Sequence, residues 1–451
     1  MTAAPATLAL PGLRERIARL ASSGQLTAGL ALVIRLAGAA VTFLSQIVLA
    51  RWMGDTEFGV YVGVWTWLLI LSDAVHLGLP LVAQRFVPQY AHSGDDMALR
   101  GFLVGSRWTT FALATLSALA AAGALALFGG SAAGPALMPT YLALTALPFF
   151  ALSLMCDGLA RAHSWIALAL APPQLLRPLI LFAVLAAVSA LGCAIDATTV
   201  MAALAFAVWL SSLVQLVLLQ VRLTSVIPPG PRRYKFRTWY GTAFPVFLAW
   251  SFFVLLSYAD VVVLQQFRPA EEVAHYYAAV KTLMLVGFIH FSVSAAVAHR
   301  FTALSVAGKT AELATYVAET VRWTFWPSLA ATVVILVLGQ PILGLFGPGF
   351  ADAYSLMFIL AATPLARAAI GPAERLLSMV GAQRLSALVY AATFGVNITL
   401  CLALAPQLGG IGAAIATSAA AILESALLAW VAERRLGVRL LVCSGRPARP
   451  T

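Results

Sequence analysis

The sequence predicts an all-α, polytopic membrane protein of about twelve transmembrane helices in two parallel six-helix repeats. Three observations carry that prediction. Hydrophobic residues make up 61% of the 451-residue chain and charged residues 10%, where a soluble domain carries about 25% charged; mean hydropathy is +0.92. Apolar runs of about 18 residues or more follow one another nearly end to end, each long enough to cross a bilayer. The chain also matches itself when displaced by 215 residues.

The runs fall near 26–50, 57–79, 102–128, 136–160, 165–192, 198–221, 241–266, 273–298, 323–346, 354–374, 384–406 and 410–432. A basic N-terminus (Arg14, Arg16, Arg19) precedes the first run, which is too long for the apolar core of a signal peptide and reads as a retained span. Most connections are short Gly, Pro and polar turns. Three longer ones, 80–101, 222–240 and 299–322, share one side by parity, and no large domain lies between spans.

Positive charge sets the orientation. Most of the 28 Lys and Arg residues lie on the side of those longer connections, including Arg222, Arg232, Arg233, Lys235 and Arg237 in the central loop. Arg434, Arg435, Arg439, Arg446 and Arg449 add to that side in the tail, and only Arg51 and Arg268 fall opposite. Both termini are therefore expected in the cytoplasm. The expected division is an N-terminal lobe 1–222, a basic linker 223–240, a C-terminal lobe 241–437 and a tail 438–451.

The repeat is read from residues that composition alone does not supply. The shift places "VAQRF" (82–86) on "VAHRF" (297–301) and "RWT" (107–109) on "RWT" (322–324). It also places Glu57 on Glu272 and Tyr61 on Tyr276, so the turn "ARWMGDTEFGVY" (50–61) corresponds to "QQFRPAEEVAHY" (265–276). Six spans per repeat is an even number, so both halves enter from the same side. Transporters with parallel repeats bind substrate between the halves near the midplane and alternate access by rocking them.

Four cations fall inside spans: Arg35, Arg177, Lys281 and Arg367. A charge at mid-bilayer costs about 2.5–3.5 kcal/mol on insertion scales, which marks these residues as candidates to face a wet cavity or a partner. At 1.5 Å per residue Arg35 lies roughly 14 Å and Arg177 about 18 Å from the cytoplasmic end of their spans. Pro172 and Pro173 interrupt the helix just before Arg177. Cations in both halves favour an anionic passenger, and a guanidinium fork suits phosphate. The alternative is structural pairing, Glu374 with Arg367 or Arg375 and Lys281 with Asp260; Asp157 and Arg161 have the spacing of an i,i+4 pair. Asp73, Asp260, Asn397 and Thr417 form a candidate cation-coupling set of oxygen ligands.

Other chemistry finds little support. "ALSVAGKT" (303–310) ends like a phosphate-binding loop but has Ala303 where the first glycine belongs and no strand before it. Cys156, Cys193, Cys401 and Cys443 form no CxxC pair, and no His, Cys and carboxylate cluster has metal-ligand spacing. His76 and His290 are single residues within spans. The net charge of +11 is scattered between spans, so no nucleic-acid partner and no cofactor is expected.

"FLSQIVLARWMGDTEFGVYVGVWTW" (43–67), "GLPLVAQRFVPQY" (78–90) and "NITLCLALAPQLGGIGAAIATSAAAILESALLAWVAERRLG" (397–437) resemble the oligosaccharide (O-antigen) flippases of the multidrug/oligosaccharidyl-lipid/polysaccharide exporter superfamily. The resemblance implies two six-helix lobes forming a V around a cavity. It further implies a non-enzymatic carrier that moves a lipid-diphosphate-linked oligosaccharide across the bacterial inner membrane, for lipopolysaccharide or exopolysaccharide. Membrane lipid, a polysaccharide polymerase and glycosyltransferases are the partners it implies, and H+ or Na+ coupling occurs in some relatives. Arg35 sits where a first-span arginine is common in that family. Two alternatives stand beside this one: a drug/cation antiporter of the same fold, and a non-transporting scaffold for a polysaccharide synthase.

Overall fold

A computed structural model describes residues 24–128, 134–307, 309–379, 383–436 and 440. The basic residues Arg14, Arg16, Arg19, Arg439, Arg446 and Arg449, together with Cys443 and Gly308 of the loop-like stretch, lie outside the described residues. Every described element is helical.

Helix α1 (Gly24–Val75) turns at Gly54, whose φ of 79° and ψ of 174° are not helical. Nothing crowds a side chain there, so glycine serves the positive φ and not clearance. A second tight turn at Leu77 and Gly78 leads into α2 (Leu79–Ser93). The stretch 80–101, expected as a connection, is thus mostly helix. The reason is periodic: Leu79, Val82, Ala83, Phe86, Val87 and Tyr90 put one apolar stripe into the core. Helices α3 (Asp96–Phe128) and α4 (Leu137–Ala162) follow, then α5 (Ile166–Ala171), a π-helical turn (Pro172–Leu176) and α6 (Arg177–Ala190). Helix α7 (Ala197–Val226) ends the N-terminal half; Asp196 caps it by accepting from the Thr199 amide at 2.7 Å.

The C-terminal half begins with α8 (Phe236–Phe267) and α9 (Ala270–Met284), then α10 (Gly287–Val306) and α11 (Thr310–Val337). The eighth expected span therefore breaks after Met284, and most of 299–322 is helix, not connection. After α12 (Gly339–Gly344) and a 3-10 turn (Pro348–Ala353), the tenth expected span is three pieces: α13 (Tyr354–Leu360), α14 (Ala362–Ala369) and α15 (Ala373–Met379). Helices α16 (Gln383–Leu408) and α17 (Gly410–Leu436) complete the chain. Among the described residues eleven helical stretches are long and apolar enough to cross a membrane. Gly54 divides the first into two, which accounts for about twelve membrane helices.

The repeat is visible in what equivalent residues do. Glu57 accepts from the backbone amide of Ala197 at the start of α7, and Glu272 accepts from that of Gly410 at the start of α17. Each half thus ties the N-terminus of its last helix to the same acidic turn. Thr56 and Glu271 are themselves equivalent positions, and the Thr56 hydroxyl donates to Glu271 at 2.9 Å. A contact between equivalent residues places the local symmetry axis between them.

The hydrophobic core forks. Near Gly54 one continuous cluster joins both halves, with Phe58 against Tyr277 and Phe350. Gly59 lies so close to the Ala270 carbonyl that a Cβ there would collide with it. Toward the other face the core separates into a cluster of the N-terminal half, which includes Trp239 and Ala243 of α8, and a cluster of the C-terminal half. The stretch between α7 and α8 is strapped to the N-terminal half. Asp95 accepts from Arg233 at 2.6 Å and Lys235 at 3.0 Å, Arg100 donates to the Pro228 carbonyl, and Trp239 donates to the Tyr90 hydroxyl. Arg233 first, then Lys235, hold the Asp95 carboxyl down at about 2.

Candidate functional site

Where the core forks, a cavity of about 500 Å³ lies between the halves. The N-terminal half contributes Arg35, Gly38, Thr42 and Gln46 from α1, Arg161 from the end of α4 and Gln174 from the π turn; the C-terminal half contributes Lys281, Met284, Phe288 and Phe291. Two of the four interior cations therefore converge from opposite halves. The Arg35 guanidinium rests over the Phe291 ring, 4.7 Å from its centre, and the Lys281 ammonium over Tyr277 at 4.8 Å. Neither makes an ion pair among the described residues. Lys281, expected as a structural partner of Asp260, instead approaches the Met284 sulfur at 3.6 Å.

Arg161 is the third cation of the cavity. Its pairing with Asp157 has the expected i,i+4 geometry, two parallel bonds of 2.8 Å. That spacing gave a structural reason for the residue and hid its place on the cavity wall. No lining residue is acidic, so the wall carries net positive charge.

Arg177 and Arg367 lie elsewhere. Arg177 is buried inside the N-terminal half, stacked on Phe150 at 4.4 Å and bonded to Ser153, which itself donates to Gln215. Arg367 pairs with Glu424 at 2.9 Å, not with Glu374, and lines a separate cavity of about 250 Å³ within the C-terminal half.

The candidate cation ligands divide in the same way. Asp260 and Thr417 meet: the Tyr276 hydroxyl donates to Asp260 at 2.6 Å, and the Thr417 hydroxyl donates to the same carboxylate oxygen at 3.3 Å. Asn397 is fully buried on α16, accepting weakly from Cys401, with its amide nitrogen unpartnered. Asp73 is apart, on the α1–α8 seam, with His76 at 3.1 Å and the Trp250 indole at 3.4 Å. Sequence reasoning missed Tyr276 as a ligand neighbour and Gln46 and Gln174 as cavity residues. For Gln174 the signal was the Pro172–Pro173 break, which was attached to Arg177 and not to the glutamine beside it.

A helical membrane protein in two repeats with a polar cavity at their junction belongs to the class of two-lobed transporter folds. The family model of polysaccharide biosynthesis proteins matches residues 27–305, more than half of the chain, so the protein belongs to that family. The MatE family model matches residues 245–403. Among solved structures, the chain superposes on the lipid II flippase MurJ in an inward closed conformation with a TM-score of 0.71 and 16% identity, covering 90% of this chain and 87% of that one. An inward-facing multidrug resistance MATE family transporter of the MOP superfamily gives 0.70 and 14%, covering 90% and 98%. A MOP superfamily transporter from Pyrococcus furiosus, described as having a binding pocket of reverse polarity, gives 0.66 and 14%, covering 91% and 95%. At these identities the likeness carries the fold. No curated protein sequence matches the chain.

Proposed function

We propose that the protein is a flippase that moves a lipid-diphosphate-linked oligosaccharide, a polysaccharide precursor, from the cytoplasmic to the outer leaflet of the bacterial inner membrane. The observation that carries this reading is the convergence of Arg35, Arg161 and Lys281 on one cavity between the halves. A diphosphate close to a cation gains roughly 4 kcal/mol per charge pair at an effective dielectric of about 20, enough to repay its partial desolvation when several cations share it. The lipid tail stays in the bilayer while the head group enters the cavity. The acid-free wall argues against the cation antiporter of the same fold, which needs carboxylates to hold its passenger.

The linker and both termini are assigned to the cytoplasm by their excess of Lys and Arg. The fused core then lies at the outer face and the forked core at the inner one, an arrangement that admits substrate from the cytoplasm. Coupling is assigned to Asp260 with Thr417, whose oxygens suit a proton or a hard cation; Asn397 and Asp73, which do not join that pair, are secondary candidates. Polymerases and glycosyltransferases would act on either side of this step. In cells, Arg35→Gln and Lys281→Gln should each abolish surface polysaccharide at unchanged protein level. Normal polysaccharide in both variants would refute the diphosphate role.

A further inference from the structure

We infer that Gln46 and Gln174 form a hydroxyl-reading subsite that selects the first sugar of the passenger. The inference rests on the flippase reading of the same cavity and assigns two residues that reading does not use. Gln46 is 7% exposed, and its amide oxygen has no hydrogen-bond partner; the amide oxygen of Gln174 is likewise buried and unpartnered. Both residues line the cavity that holds Arg35, Arg161 and Lys281. Buried polar atoms are nearly always paired, and leaving one unmade costs about 1–3 kcal/mol. Thr42 does not share this role, because its hydroxyl already donates to the Gly38 carbonyl at 2.8 Å.

The backbone is shaped around Gln174. Pro172 and Pro173 supply no amide hydrogens, and the chain widens into a π turn that closes with the Arg177 amide donating to the Pro172 carbonyl. Across the cavity wall stands Gly38. A Cβ there would lie 2.7 Å from the Gln174 amide oxygen and 2.8 Å from its Cβ. Only a glycine on α1 leaves that side chain where it is. Two departures from regular packing thus serve one unpartnered amide on the cavity wall, the pattern expected of a binding residue.

The ligand chemistry follows. An ionised diphosphate offers acceptors only, so it satisfies the cations and cannot satisfy an amide oxygen. A sugar hydroxyl offers a donor and an acceptor and complements an amide on both counts. The group that meets Gln46 and Gln174 must therefore sit beside the diphosphate and carry hydroxyl or amide hydrogens. A cavity of about 500 Å³ is the size that encloses one drug-sized ligand, which is a diphosphate with its first sugar and not a longer glycan. The remaining sugars extend out of the cavity and go unread.

The test uses the full-length detergent-solubilised protein and two probes: a prenyl diphosphate, and the same lipid bearing one N-acetylhexosamine. Wild type should bind the sugar-bearing probe more tightly. Gln46→Met and Gln174→Met, which keep the side-chain length, should each reduce that preference about three- to tenfold, the range of one lost hydrogen bond. Gly38→Ala, which displaces Gln174 without removing it, should reproduce the Gln174→Met result. An unchanged preference, or equal loss for both probes, would overturn the subsite. Equal wild-type binding of the two probes with dependence on Arg35 would overturn the subsite and leave the flippase reading standing. Failure of wild type to bind either probe would remove both.

Discussion

Asp260 is a buried carboxylate, held by a tyrosine, a threonine and the Val261 amide, with no cation in ion-pair contact among the described residues. A group placed in that way changes its interactions sharply on gaining a proton or a metal cation, which is what a coupling site requires. In proteoliposomes with an imposed sodium or proton gradient, Asp260→Asn should transport at the rate wild type shows without a gradient. Retention of gradient-driven transport would exclude Asp260 as the coupling residue. The residue scale is also where the sequence was hardest to read. Arg35 and Arg177 each appear as one guanidinium in an apolar run, and depth alone does not separate them. Arg177 turns toward Ser153 and Phe150 inside its own half, while Arg35 turns toward Phe291 of the other half. Which face of a span meets the second half is decided by helix packing, and a hydropathy pattern with apolar residues all round does not encode it.

The elements most important to the account are the irregular ones. The break at Gly54, the π turn at Pro172–Leu176 and the interruption after Met284 all flank the junction of the halves. Glycine and proline made the first two legible as interruptions, but not the conformations that resulted. The amphipathic α2 was missed as a helix because its polar face made it look like a loop. At the fused face, α1 and α9 approach closely at Gly59, where a Cβ would meet the Ala270 carbonyl. Closing the seam over a larger residue should cost about 1–3 kcal/mol, as overpacking does elsewhere. Gly59→Val is therefore expected to shift the population toward the state open at this face. In a Thr56→Cys/Glu271→Cys background, whose wild-type side chains touch across the seam, cross-linking should fall several-fold when Gly59→Val is added. Unchanged cross-linking would mean that the seam does not open between these helices.

For the whole molecule, composition and the 215-residue repeat were enough to give a two-part helical membrane protein. The equivalence of Glu57 and Glu272 proved to be an equivalence of roles, each holding the start of its half's last helix. What no repeat could disclose is the fork in the core, because it depends on which conformation the two halves adopt. A core fused at one face and divided at the other leaves a cavity at the junction, lined by cations from both halves. Rocking about that junction would reverse which face is divided while the site stays between the halves. The scaffold alternative predicts no movement of lipid at all. The most direct measurement reconstitutes the purified protein in liposomes with a fluorescent lipid-diphosphate-linked oligosaccharide and follows its accessibility to an external quencher. Wild type should move the lipid between leaflets, and Arg35→Gln and Lys281→Gln should reduce the rate at least tenfold. Movement at the rate of protein-free liposomes for wild type, or equal rates for all three proteins, would contradict the account.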